Sequence, residues 1–109
     1  MPDIPGSAAP AQGYANSGLI TGDTTVKSTP GFVHSVLISP ILSAGEPTAY
    51  TVQLVDGVTT VMEWNFAATA ATSEAANLSH CAILDTLLET NIKIAFGGGT
   101  SANVCVTYL

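Results

Sequence analysis

Apolar and polar residues alternate along much of this chain with a period of two, the spacing that turns one face of a β-strand inward and the other outward. Tyr50, Val52 and Leu54 alternate with Thr51 and Gln53, and Met62, Trp64 and Phe66 alternate with Glu63 and Asn65. Thr and Val abound in these stretches, and β-branched side chains suit a pleated, half-buried surface. The pattern predicts strands near 19–27, 32–39, 48–55, 58–66, 78–84, 91–96 and 103–109. Between them stand turn residues: Pro30-Gly31, Pro40, Asp56-Gly57 and the run Gly97-Gly98-Gly99. Short strands at regular spacing, separated by such residues, indicate an all-β fold, an antiparallel sandwich or barrel.

Two stretches need a closer reading. In the central hairpin, a two-residue Asp56-Gly57 loop would pair Val55 with Val58 and put Trp64 on the face opposite Leu54. A three-residue loop, Val55-Asp56-Gly57 with Gly57 left-handed, pairs Leu54 with Val58 and keeps both apolar sets together. The bulged three-residue turn is therefore expected. In 72–90, Ala75, Leu78, Cys81, Leu84 and Leu88 recur at helical spacing, with Thr72 or Ser73 available as N-cap. No Gly closes such a helix, and strands flank it on both sides, so strand plus loop is the preferred reading. Residues 1–17 hold Pro2, Pro5, Pro10, Gly6 and Gly13 with few large apolar side chains, too little for a core. They read as an extended N-terminal arm ahead of a β-sandwich domain over 18–109.

Composition narrows the function. Of 109 residues, 47% are apolar and 9% charged, with two Lys+Arg against eight Asp+Glu and a net charge of −6. Lys27 and Lys93 alone cannot neutralise a row of phosphates, so direct nucleic-acid binding is not expected, and anionic membranes are disfavoured for the same reason. No apolar run reaches the ~20 residues of a membrane span, and no signal peptide is discernible at the N-terminus. Cys81 and Cys105 lie in apolar, strand-like contexts and read as buried free thiols.

No constellation in the sequence calls for catalysis, a cofactor or a metal, and an enzyme is not expected. The run 97–101, Gly-Gly-Gly-Thr-Ser, lacks both the following helix and the lysine of a phosphate cradle, and reads as a turn. His34, between Phe32 and Val36, reads as a packed or hydrogen-bonded side chain. His80 has Ser79, Cys81 and Asp85 nearby in sequence, but triad members converge in space rather than along the chain. No CxxC occurs, and the carboxylates Asp3, Asp23, Glu46, Asp56, Glu63, Glu74, Asp85 and Glu89 form no calcium-loop spacing. Trp64 reads as core; outward-facing Trp64, Tyr50 or Tyr108 would instead suit a carbohydrate-binding module.

Three blocks of sequence resemble small virion proteins of the tailed-phage capsid decoration, or cement, type. They are residues 31–39 (Gly-Phe-Val-His-Ser-Val-Leu-Ile-Ser), residues 50–57 (Tyr-Thr-Val-Gln-Leu-Val-Asp-Gly), and residues 91–108. The last joins an apolar strand, a Gly/Ser-rich turn and an alternating Val strand ending in Tyr108. The resemblance spans 18–109. Asn91-Ile92 replaces the family's glycine–leucine, and 72–90 is unusually rich in Ala and Leu. It implies a jelly-roll-like β-sandwich with an N-terminal arm, a homo-oligomer, commonly a trimer, and a place on the outer capsid surface of the virion after synthesis in the host cytoplasm. The implied partners are the major capsid protein or other virion subunits. A phage neck, tail or fibre protein is the nearest alternative.

Overall fold

The alternating segments become eight strands and no helix among the described residues. A computed structural model describes residues 13–40, 49–66, 79–98 and 102–109. The strands are β1 (Ala15–Asn16), β2 (Thr24–Lys27), β3 (Gly31–Pro40), β4 (Tyr50–Asp56), β5 (Thr59–Phe66), β6 (His80–Leu88), β7 (Ile92–Gly97) and β8 (Ala102–Tyr108). They form two antiparallel four-stranded sheets, ordered β1-β8-β3-β6 and β2-β7-β4-β5. The pairs β1 with β8, β2 with β7, β3 with β6 and β4 with β5 are nested, so the chain is a long hairpin rolled across two layers. That is the jelly-roll form of the β-sandwich.

The core lies between the layers and comes from the inward parity of each strand. Val33, Val36, Ile38, Val104 and Val106 of the first sheet meet Val52, Leu54, Ile92 and Ile94 of the second, all essentially inaccessible to solvent. Each such side chain contributes roughly 1.5–3 kcal/mol by leaving water. Ile20 joins them although its segment is not a strand, held by two backbone hydrogen bonds to Val104 of 2.8 and 2.9 Å. The expected strand over 19–27 is thus confined to Thr24–Lys27, with Leu19 exposed. The expected strand 78–84 instead runs to Leu88, whose side chain is fully buried. So the strand reading of 72–90 holds from His80 onward; Thr72, Ser73, Ala75 and Leu78 lie outside the described residues. Ala15 and Asn16, placed in the arm by composition, pair with Tyr108 and Thr107 of the sandwich, while residues 1–12 lie outside the described residues.

The central hairpin keeps the expected parity but not the expected register. Asp56 pairs with Thr59 across a two-residue Gly57-Val58 turn, and a bulge at Val61 then restores Leu54 opposite Met62, Val52 opposite Trp64 and Tyr50 opposite Phe66. Leu54 does not face Val58, which is fully exposed at the tip. The extra residue that keeps the two apolar sets together sits in the strand rather than in the turn.

The short connections gather at one end of the roll and are tied to one another. Asp56 accepts backbone N–H bonds from Glu89 and Thr90 at 2.8 Å and from Asn91 at 3.4 Å, and the Gly57 N–H donates to Asn91 Oδ1 at 2.8 Å. These bonds to the ionised form hold the Asp56 carboxyl below its ordinary value. At the same end Phe32 and Leu109 exchange backbone bonds of 3.1 and 2.8 Å, beside Gly31.

Two outcomes follow from this end of the molecule. A Cβ at Gly31 would lie 2.7 Å from the Leu109 carbonyl oxygen and 2.9 Å from both Ile92 Cδ1 and Lys27 Cδ. In urea unfolding, Gly31→Ala should lower stability by about 1–3 kcal/mol. Gly22→Ala, which meets nothing within 4 Å, should stay within about 1 kcal/mol of the parent. Asp56→Ala should also destabilise. Because the folded pKa is depressed, the parent's advantage should be full above the ordinary value of 3.8. It should be lost as pH falls through the lower folded value, read from urea midpoints of both proteins at pH 6 and pH 2.5.

Candidate functional site

Among the described residues, a histidine and a carboxylate meet across strands on the outer face of the first sheet. Two bulges create the contact. His34 is an extra residue of β3 relative to β8, and Leu84–Asp85 is a pair of β6 residues set against the single His34 of β3. Asp85 has φ 47°, in the left-handed region, which Asp tolerates better than most side chains. The double irregularity brings together residues 51 positions apart: His34 Nδ1–H donates to Asp85 Oδ1 at 2.6 Å. The Tyr14 ring lies flat on the imidazole, with centroids 4.2 Å apart and planes 3° from parallel, and continues toward Phe32 at 6.5 Å. A carboxylate therefore fixes the histidine, and the histidine holds the residue at which the N-terminal segment joins the sandwich.

Sequence reading found His34 and Asp85 separately but not their meeting. Proximity along the chain had set Asp85 beside His80, whose ring instead packs edge-on to Phe66 at 5.1 Å. Ser79 Oγ donates to Ser39 Oγ at 3.4 Å. The paired bulges that join His34 to Asp85 leave no mark in residue spacing. The Ser35 hydroxyl is hydrogen-bonded to that of Thr107, so it is already engaged beside His34.

The remaining candidates are dispersed. Trp64 and Phe66 pack on the core from the inner face of β5. Tyr50 is buried and stacked on Phe66 at 4.7 Å, and burial pushes its phenol above the ordinary value of 10.0. Tyr108 is partly buried against the same core. The reading of both cysteines as buried is corrected: Cys81 is exposed and Cys105 half-buried, both free, because each stands opposite Leu37 on the outward parity of its strand. They flank Leu37 at two strand spacings, roughly 10 Å, too far for a disulfide. Of the glycine run, Gly97 closes β7 and Gly98 adopts φ 75°, while 99–101 lie outside the described residues. A recess of about 510 Å³ is lined among the described residues by Ala49, Tyr50, Thr51, Asn65, Phe66, Gly97 and Gly98.

Among the described residues, no group of three or more His, Cys, Asp or Glu is placed to hold a metal ion, and no helix is long and apolar enough to cross a membrane. Comparison with family models, with curated proteins and with solved structures returned no match.

The stacked Tyr14–His34 pair generates a direct expectation. His34→Ala should return the Tyr14 ring-proton resonances toward their unstacked positions while the Val104 and Val106 methyl resonances keep their native shifts. Loss of one aromatic pair corresponds to about 0.5–1.5 kcal/mol. Unchanged Tyr14 shifts would show that the imidazole does not hold this residue.

Proposed function

We propose that the protein is a non-enzymatic structural virion subunit. In this reading it decorates the outer surface of a tailed-phage head and stabilises the shell through contacts of its own oligomer and of its N-terminal arm. The observation that carries the reading is the strand order, β1-β8-β3-β6 over β2-β7-β4-β5. It is the jelly-roll body that the resemblance of residues 18–109 implies. A solid core of Val, Ile and Leu between the layers gives a rigid body whose function lies on its surfaces. The net charge of −6 with only two lysines suits an outer capsid surface rather than a DNA-facing one. A charge-poor chain rich in Ala, Thr and Val suits subunit contacts, whose cores are depleted in charge. The major capsid protein is the partner this reading assigns to the arm.

The copy number of this chain in purified particles of the phage that encodes it, by quantitative mass spectrometry, tests the proposal. Hundreds of copies per particle are expected. A few to a few dozen would move the protein to the neck, tail or fibre, and absence from the particle would overturn a virion role altogether.

A further inference from the structure

The backbone has a chemical weak point that the sequence displays. Asp56-Gly57 is the chain's one Asp-Gly pair, and no Asn-Gly occurs. At such a pair the glycine nitrogen can attack the aspartyl side-chain carbonyl carbon, because glycine has no Cβ to hinder the approach. The N–Cγ bond forms, and the hydroxyl of the protonated carboxyl leaves with the amide hydrogen as water. Water then opens the five-membered succinimide at either carbonyl. One opening restores aspartate; the other leaves isoaspartate, with Cβ and Cγ in the main chain and the α-carboxyl hanging free. No oxidant or reductant is needed.

The pair stands at a turn, where water has access. Asp56 ends β4, Gly57 follows with φ 64°, and Val58 beside it is fully exposed. Yet both reacting groups are engaged, and by a single connection. The Gly57 N–H, the nucleophile, donates to Asn91 Oδ1 at 2.8 Å. On the carboxyl, Oδ2 accepts from the Glu89 N–H at 2.8 Å, and Oδ1 accepts from Thr90 at 2.8 Å and from Asn91 at 3.4 Å. These donors favour the carboxylate, whose oxygen is a poor leaving group, and the lowered pKa of Asp56 has the same origin. The Thr90 side chain also packs over Gly57, 3.4–3.5 Å from where a Cβ would stand. Ring closure requires the amide to leave Asn91 and the carboxyl to turn away from three donors.

We propose that Asp56-Gly57 is a site of isoaspartate formation held shut by the 89–91 connection, with Asn91 as the guarding residue. Asn91 occupies the nucleophile with its side chain and helps to hold the electrophile with its backbone. The damage so prevented is structural. Isoaspartate lengthens the main chain at the residue that pairs with Thr59, and it takes away the acceptor on which Glu89, Thr90 and Asn91 converge. The inference is independent of the virion reading.

In the test, the full chain and its variants are aged in warm neutral buffer. Isoaspartate at residue 56 is measured by isoaspartyl methyltransferase labelling and by fragmentation of the peptide that contains it. The folded parent should form it about tenfold more slowly, or slower still, than the same chain in urea. Asn91→Ala should raise the folded rate about fivefold to tenfold, the factor that one lost hydrogen bond commands. Val106→Ala, in the core of the other sheet, separates local from global opening: it should lower the urea midpoint and leave the rate at the parent's. The proposal is overturned if Asn91→Ala ages at the parent's rate, if Val106→Ala speeds ageing as much as Asn91→Ala does, or if folded and unfolded parent age alike. Should Asn91→Ala lack native circular dichroism, hydrogen exchange of the parent decides. A Gly57 amide that exchanges about tenfold more slowly than in the unfolded chain supports the guard, and an unprotected one sinks it.

Discussion

The fold depends on a single apolar layer between two sheets, filled mostly by β-branched side chains. Val33, Val36, Ile38, Val104 and Val106 project from one side and Val52, Leu54, Ile92 and Ile94 from the other. Sheets stacked about 10 Å apart leave room for one interdigitated layer of such side chains, so strand parity must hold on all the long strands at once. The irregularities serve that demand. The bulge at Val61 puts Met62, Trp64 and Phe66 back on the face of Leu54, Val52 and Tyr50. The register shift between Val33 and Ser35 lets both Val33 and Val36 point inward although three positions separate them.

The same devices govern the borders of the sheets. Of the four edge strands, β1 is two residues long, and β2, β5 and β6 each pair with their neighbour through a shifted register. Short or bulged edges resist continuation by another strand. Among the edge strands only β2 carries a lysine, Lys27, and backbone irregularity does the rest. What remains open is the broad side of the first sheet. Its one carboxylate is engaged by a histidine that also carries Tyr14, the first aromatic ring of the chain.

Much of the architecture was legible because parity is a local property. Val52 and Leu54, Trp64 and Phe66, Val104 and Val106 each declare their face within two residues. Register was not, because it depends on where an extra residue is inserted, and Val61 differs in no visible way from its neighbours. Leu37 was readable in principle: in the consecutive run Val36-Leu37-Ile38 on a strand, the middle residue must face away from the core. Cys81 and Cys105 were misjudged on the same point, since apolar context along the chain does not say which way a side chain points. The meeting of His34 and Asp85 was out of reach, for it rests on two bulges on neighbouring strands and a separation of 51 residues.

The nested pairing also bears on how the chain reaches this state. Bringing Asn16 to Thr107 as a first event closes a loop of about ninety residues, whereas the β4–β5 hairpin closes over a handful. The entropy difference is about 3 kcal/mol at the logarithmic cost of loop closure. Pairing from the inside outward, β4 with β5, then β3 with β6, β2 with β7 and β1 with β8, makes each closure short once its predecessor exists. During synthesis β2 and β3 must wait for partners translated 40 or more residues later, and β8, which fills the centre of the first sheet, follows the other seven strands. Until it does, the edge of β3 that pairs with β8 is bare, and the nascent chain is most open to sticking while that strand lacks its partner.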